Sequence, residues 1–110
     1  MVTVAIQDKY VEMLNVLGDV QAAVDLALQR YTIEQVTAKL SELRRREAGY
    51  RAKYGLDYPT FAQRTATDEG FVHKVETQVS KVWEVDLADW EFCYKGIQDW
   101  TQRLQTLLLG

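Results

Sequence analysis

Nucleophilic or acid–base chemistry in this chain would have to be built on one histidine and one cysteine, His73 and Cys93. Either role requires a partner group within hydrogen-bond reach. His73 stands beside an apolar helical stripe with no nucleophile near it in sequence, and Cys93 lies inside an aromatic run where an inert buried thiol is expected. Carboxylate pairs such as Asp86 with Glu91 arise routinely on charged helix faces. The sequence has no phosphate-binding glycine loop, no dinucleotide fingerprint and no histidine pair for a metal. These features point away from an enzyme, a metal site and a cofactor, and leave the chemistry of binding. Two stretches carry it. One is "LRRREAGYRAK", with Arg44, Arg45, Arg46, Arg51 and Lys53. The other is "WEVDLADWEFCYKGIQDW", residues 83–100, which holds all three tryptophans of the chain.

A length of 110 residues supports one domain, or a small domain with an arm. The 47% hydrophobic and 26% charged content is that of a folded chain. A net charge of −3 argues against coating nucleic acid or a membrane by bulk electrostatics. That charge is unevenly spread, because a basic middle (Lys39, Arg44, Arg45, Arg46, Arg51, Lys53) is flanked by acidic ends. One cysteine excludes an intramolecular disulfide, and no segment approaches the roughly 20 apolar residues of a membrane span. A cytoplasmic protein with no membrane association is the expectation. With Pro59 the sole proline, few breaks interrupt what should be a mostly helical chain.

In "VTVAIQ" Val2, Val4 and Ile6 alternate with Thr3, Ala5 and Gln7, which is strand periodicity. Helical spacing follows, with Asp8 as expected N-cap, Val11, Leu14 and Leu17 on one stripe, and Gly18 at the stop. Asp19 is placed to cap a second helix with Val20, Ala23, Val24, Ala27, Leu28 and Tyr31 on its apolar face. Its spacing then becomes heptad-like through Ile33, Val36, Leu40 and Leu43, is interrupted by Glu47, and resumes at Tyr50 and Tyr54. No proline breaks this stretch, so one long helix ending at Gly55 is expected. Pro59 suits the first turn of a short third helix, and Asp68 can cap a fourth whose stripe is Phe71, Val72, Val75 and Val79. A last helix, Trp83 to Leu109, carries Trp83, Leu87, Trp90, Tyr94, Ile97, Thr101, Leu104 and Leu108 at the period of a helix lying along a partner helix. Gly96 inside it permits close approach or a bend.

A lone strand leaves its backbone groups unpaired and cannot cover Val2, Val4 and Ile6; the same strand of a second chain would solve both problems. In element order and spacing, "MVTVAIQDKYVEMLNVLGDVQAAVDLALQRYT" resembles the ribbon-helix-helix family. The resemblance implies a homodimerisation module over residues 1–31, with Thr3, Ala5 and Gln7 entering the DNA major groove and a phosphate held at Gly18 and Asp19. Ala5 offers no hydrogen bond, and Asp19 brings negative charge to the phosphate position.

Further along, "LRRREAGYRAKYGLDYPTFAQR" followed by the acidic "WEVDLADWEF" resembles small prokaryotic antitoxins of type II toxin–antitoxin systems. This likeness implies that residues 32–110 are a helical region wrapping a cognate toxin protein, and that the dimer binds operator DNA. The partner-binding candidates are Trp83, Glu84, Asp86, Trp90, Glu91, Phe92 and Trp100, with core packing the competing reading for Trp83, Trp90 and Tyr94. Arg44, Arg45 and Arg46 are either a DNA phosphate patch or a solvated face. The expected fold is mainly α, with a short N-terminal β-strand paired in a dimer, then a long helix and an antiparallel helical hairpin or coiled coil. Two other functions stand beside the antitoxin: a dimeric helical adaptor that never touches DNA, and a small-ligand protein using the tryptophans as a box.

Overall fold

A computed structural model describes residues 2–110 as five helices: α1 (Asp8–Leu17), α2 (Val20–Tyr54), α3 (Tyr58–Thr67), α4 (Glu69–Gln78) and α5 (Trp83–Leu109). Most of their ends follow from local chemistry. Gly18 closes α1 at φ +152°, its N–H donating to the Leu14 carbonyl. The Asp19 carboxylate accepts the amide of Gln21 at 2.9 Å and that of Ala22 at 3.4 Å, which starts α2. Gly55 at φ +73° ends α2, because the left-handed region is costly for any residue with a Cβ. Asp57 accepts from the Thr60 amide at 2.9 Å and Asp68 from the Phe71 amide at 3.0 Å, capping α3 and α4. Asp8 is not a cap. Gln7 precedes α1 in extended conformation without a side-chain capping bond, and Asp8 occupies the first turn, where its charge faces the positive end of the helix.

The expected N-terminal strand is absent: residues 2–7 form no regular element, and no strand occurs among the described residues. The alternation is real, but a strand exists only through its neighbour's donors and acceptors, and one chain supplies none here. Val2 and Val4 stay 88% and 76% exposed.

The chain divides into two compact units, Met1–Gln35 and Val36–Gly110. In the first unit no described residue is buried, although α1 and the start of α2 carry apolar stripes. The second unit has its own core. Phe61, Val75 and Trp90 are buried together, with Tyr50, Tyr54, Leu56, Tyr58, Phe71, Trp83 and Leu87 packed around them. Val36, Leu40 and Leu43 bury the heptad-like stripe of α2. Contacts pair Leu43 with Gly96, Glu47 with Trp90 and Tyr54 with Asp86, so α2 and α5 run antiparallel. Each large side chain buried between them contributes roughly 1.5–3 kcal/mol.

At Gly96, α5 packs closely against Leu43 of α2. A Cβ there would lie 3.0 Å from Cδ1 of Leu43, which is itself 2% exposed and has no room to retreat. Gly96→Val is expected to cost about 1–3 kcal/mol through overpacking. Urea denaturation would read this as a lower midpoint at unchanged slope; an unchanged midpoint would mean the helices separate freely.

Candidate functional site

The facing sides of α2 and α5 are tied by three carboxylates. Asp89 accepts from the Arg46 guanidinium and, at 2.6 Å, from the Tyr50 hydroxyl. One turn earlier on α5, Asp86 accepts from Lys53 Nζ at 2.6 Å and from the Tyr54 hydroxyl at 2.5 Å. Glu47, the residue that interrupts the apolar pattern of α2, accepts from the indole N–H of buried Trp90 at 3.4 Å and from Arg51 Nε at 2.8 Å. A buried tryptophan needs an acceptor for its N–H, which accounts for a glutamate on a core-facing stripe.

These contacts set the local proton affinities. The hydrogen bond to Asp89, reinforced by burial, pushes Tyr50 up to about 12. Burial first, then the bond to Asp86, raises Tyr54 further. Burial alone would raise Asp86, but the bonds from Lys53 and Tyr54 outweigh it and hold the carboxyl below its usual range. Cys93 is fully buried, and its thiol is raised by burial and by nearby Asp89. It is therefore a poor nucleophile. His73 is exposed on α4, and among the described residues no cluster of His, Cys, Asp and Glu could hold a metal ion.

Of the aromatic–acidic candidates, Trp90 is core, with ring centroids of Tyr50, Tyr54 and Phe61 between 5.3 and 5.9 Å away. Asp86 belongs to the clamp with Lys53. Trp83 is half-buried and donates its indole N–H to Glu76 at 3.0 Å. Glu84 is exposed, and Glu91 pairs with Lys95 at 2.5 Å. Phe92, 57% exposed, and half-buried Trp100 flank a groove of about 470 Å³ floored by Leu43 and Gly96 and edged by Glu91, Lys95 and Asp99.

The arginine run is split by the fold. Arg46 turns to Asp89 and the ring of Phe92, leaving Arg44 and Arg45 exposed. Together with Arg51 they line a second groove, of about 610 Å³, along Ala48, Tyr94 and Ile97. Tyr94 and Ile97 were not among the sequence-derived binding residues, whereas Arg51 belonged to the basic stretch. The seven-residue spacing from Arg44 to Arg51, two helical turns, is the signal that groups the arginines.

In the first unit Thr3, Ala5 and Gln7 are exposed. Gly18 and Asp19 form the junction before α2, but the amides a phosphate would use are already bonded to the Asp19 carboxylate. Around them Tyr10, Met13, Val16, Leu17, Leu28 and Tyr31 are each more than half exposed. No family model, curated protein or solved structure matches the chain, and no helix is long and apolar enough to cross a membrane.

The tyrosine–carboxylate bonds make stability fall at high pH. A tyrosine pKa raised by folding adds stability that is fully present below the unfolded value of about 10 and is lost as pH rises through the folded value; for Tyr50 that value is about 12. Asp86 acts in the opposite direction, its contribution being lost on acidification below about 4. The urea midpoint should therefore drop on titration from pH 10 towards 12, and Tyr50→Phe with Tyr54→Phe should flatten that alkaline limb. An equally steep limb in the double variant would contradict the assignment.

Proposed function

We propose that this chain is an antitoxin-like binding protein, a homodimer that neutralises a cognate toxin protein by covering it. The observation that carries the reading is the contrast between the units. Val36–Gly110 closes a core by itself, whereas in Met1–Gln35 no described residue is fully buried and the apolar stripes are at most half-buried. A ten-residue helix such as α1 is marginal alone in water. A second copy, pairing residues 2–7 as a two-stranded ribbon, would supply the missing ladder and cover Val2, Val4 and Ile6. The ribbon-helix-helix resemblance supports the same arrangement.

On the second unit, the groove between Phe92 and Trp100, with Glu91 and Asp99 about it and exposed Glu84 further up α5, offers aromatic and acidic surface to a basic toxin. Trp83, Trp90 and Asp86 hold that surface in place. A buried thiol accords with a reducing, cytoplasmic setting. Operator binding would run through Thr3, Ala5 and Gln7 on the outward face of the ribbon. A second reading, an adaptor that dimerises without touching DNA, is favoured by one feature: the Asp19 carboxylate occupies the amides that a phosphate would take.

Val4→Pro removes a ladder donor and is expected to turn the dimer into a monomer in sedimentation experiments while the aromatic core of the second unit stays folded. A dimer that survives the change would end the ribbon assignment. Expression of the small open reading frame beside the gene should arrest growth, and coexpression of this chain should rescue it through a copurifying complex. Phe92→Ala with Trp100→Ala should abolish rescue without monomerising the protein. No toxicity and no complex would end the antitoxin reading.

A further inference from the structure

We propose that the groove formed by Arg44, Arg45 and Arg51 over Ala48, Tyr94 and Ile97 is a docking site for an acidic, apolar-bearing segment of a partner protein. It goes beyond the toxin-binding surface, because the two grooves use different sides of α5. Tyr94, Ile97 and Gln98 fall on one helical stripe, and Phe92, Gly96 and Trp100 on another.

Charge complementarity selects the occupant. Among the described residues neither Arg44 nor Arg45 pairs with a carboxylate, although Arg46, Arg51, Lys53, Lys95 and Arg103 all do. Two exposed guanidiniums thus keep their full donor capacity, and their forked geometry fits carboxylates. Arg44 and Arg51, which lines the groove with its Nε bonded to Glu47, stand two turns apart, about 10.5 Å along α2. That span matches acidic residues seven apart on a docked helix, or three apart on an extended segment.

Ala48, Tyr94 and Ile97 give the groove an apolar floor, so an aliphatic or aromatic side chain between the two acids would fill it. A nucleic-acid backbone fits less well. It would set a continuous run of phosphates against Glu47, whose carboxylate is fixed in the wall by Trp90 and Arg51. The chain's net charge of −3 also supplies no surrounding basic field for a polyanion.

Selection of a phage-displayed random-peptide library on the full-length protein, followed by anisotropy titration of the enriched peptide carrying fluorescein, tests this. Enriched peptides should share Asp or Glu at the stated spacing around an apolar residue. Arg44→Glu with Arg45→Glu should weaken them at least about tenfold with an unchanged urea midpoint, and Ile97→Ala should weaken them less. Phe92→Ala with Trp100→Ala should bind them normally, which separates failure here from failure of the antitoxin reading. No enrichment, enriched peptides without carboxylates, or binding indifferent to Arg44→Glu with Arg45→Glu would overturn the assignment. So would a short duplex DNA or single-stranded RNA that binds more tightly than the peptide and is lost in that variant, since the groove would then be a phosphate site.

Discussion

Burial of Trp90 between α2 and α5 is the contact around which the second unit is organised. Its ring is sealed by Tyr50, Tyr54 and Phe61, and its single polar atom is turned to Glu47. An indole of that size cannot be desolvated without an acceptor for its N–H, so a glutamate is held on a face that is otherwise apolar. Arg51 in turn balances the charge of Glu47. From this one constraint follow the orientation of the two helices and the crowding of tyrosines along their seam.

The paired acids Asp86 and Asp89 then fix the register. Each is gripped by a tyrosine hydroxyl and a cation from α2, and sliding α5 by one turn would leave one acid and one tyrosine–cation pair without partners. Arg46 is consumed by this work, which divides the arginine run into a structural member and two free ones. Gly96 admits Leu43 against α5, at the floor of the Phe92–Trp100 groove. The same antiparallel pair therefore presents surfaces of different character on different sides of α5, one aromatic and acid-edged, the other lined by arginine.

The first unit follows a different logic. Its helices end where glycine and aspartate dictate, yet their apolar stripes are at most half-buried, as at Val11, Leu14, Val20 and Val24. Conformational entropy must be repaid by buried surface, and a segment with no fully buried residue repays little of it alone. The alternation at residues 2–7 is strand periodicity for which one chain supplies no neighbour.

Local chemistry written in the sequence determined the helices. Asp19, Asp57 and Asp68 cap because a short carboxylate reaches the first free amides, Gly55 stops a helix because it tolerates positive φ, and the three- and four-residue spacing of Leu40, Leu43, Leu87 and Trp90 marks the buried sides. Long-range contacts decided the rest. That Arg46 would leave Arg44 and Arg45 for Asp89, that Arg51 would join them across a groove, and that Glu47 would serve a tryptophan 43 residues away depend on which faces meet. A strand likewise depends on a neighbour, so its alternation was legible at residues 2–7 while its formation was not. Caps and stripes draw their energy from atoms a few residues apart; ion pairs, grooves and ladders draw theirs from surfaces that only the tertiary or quaternary structure brings together.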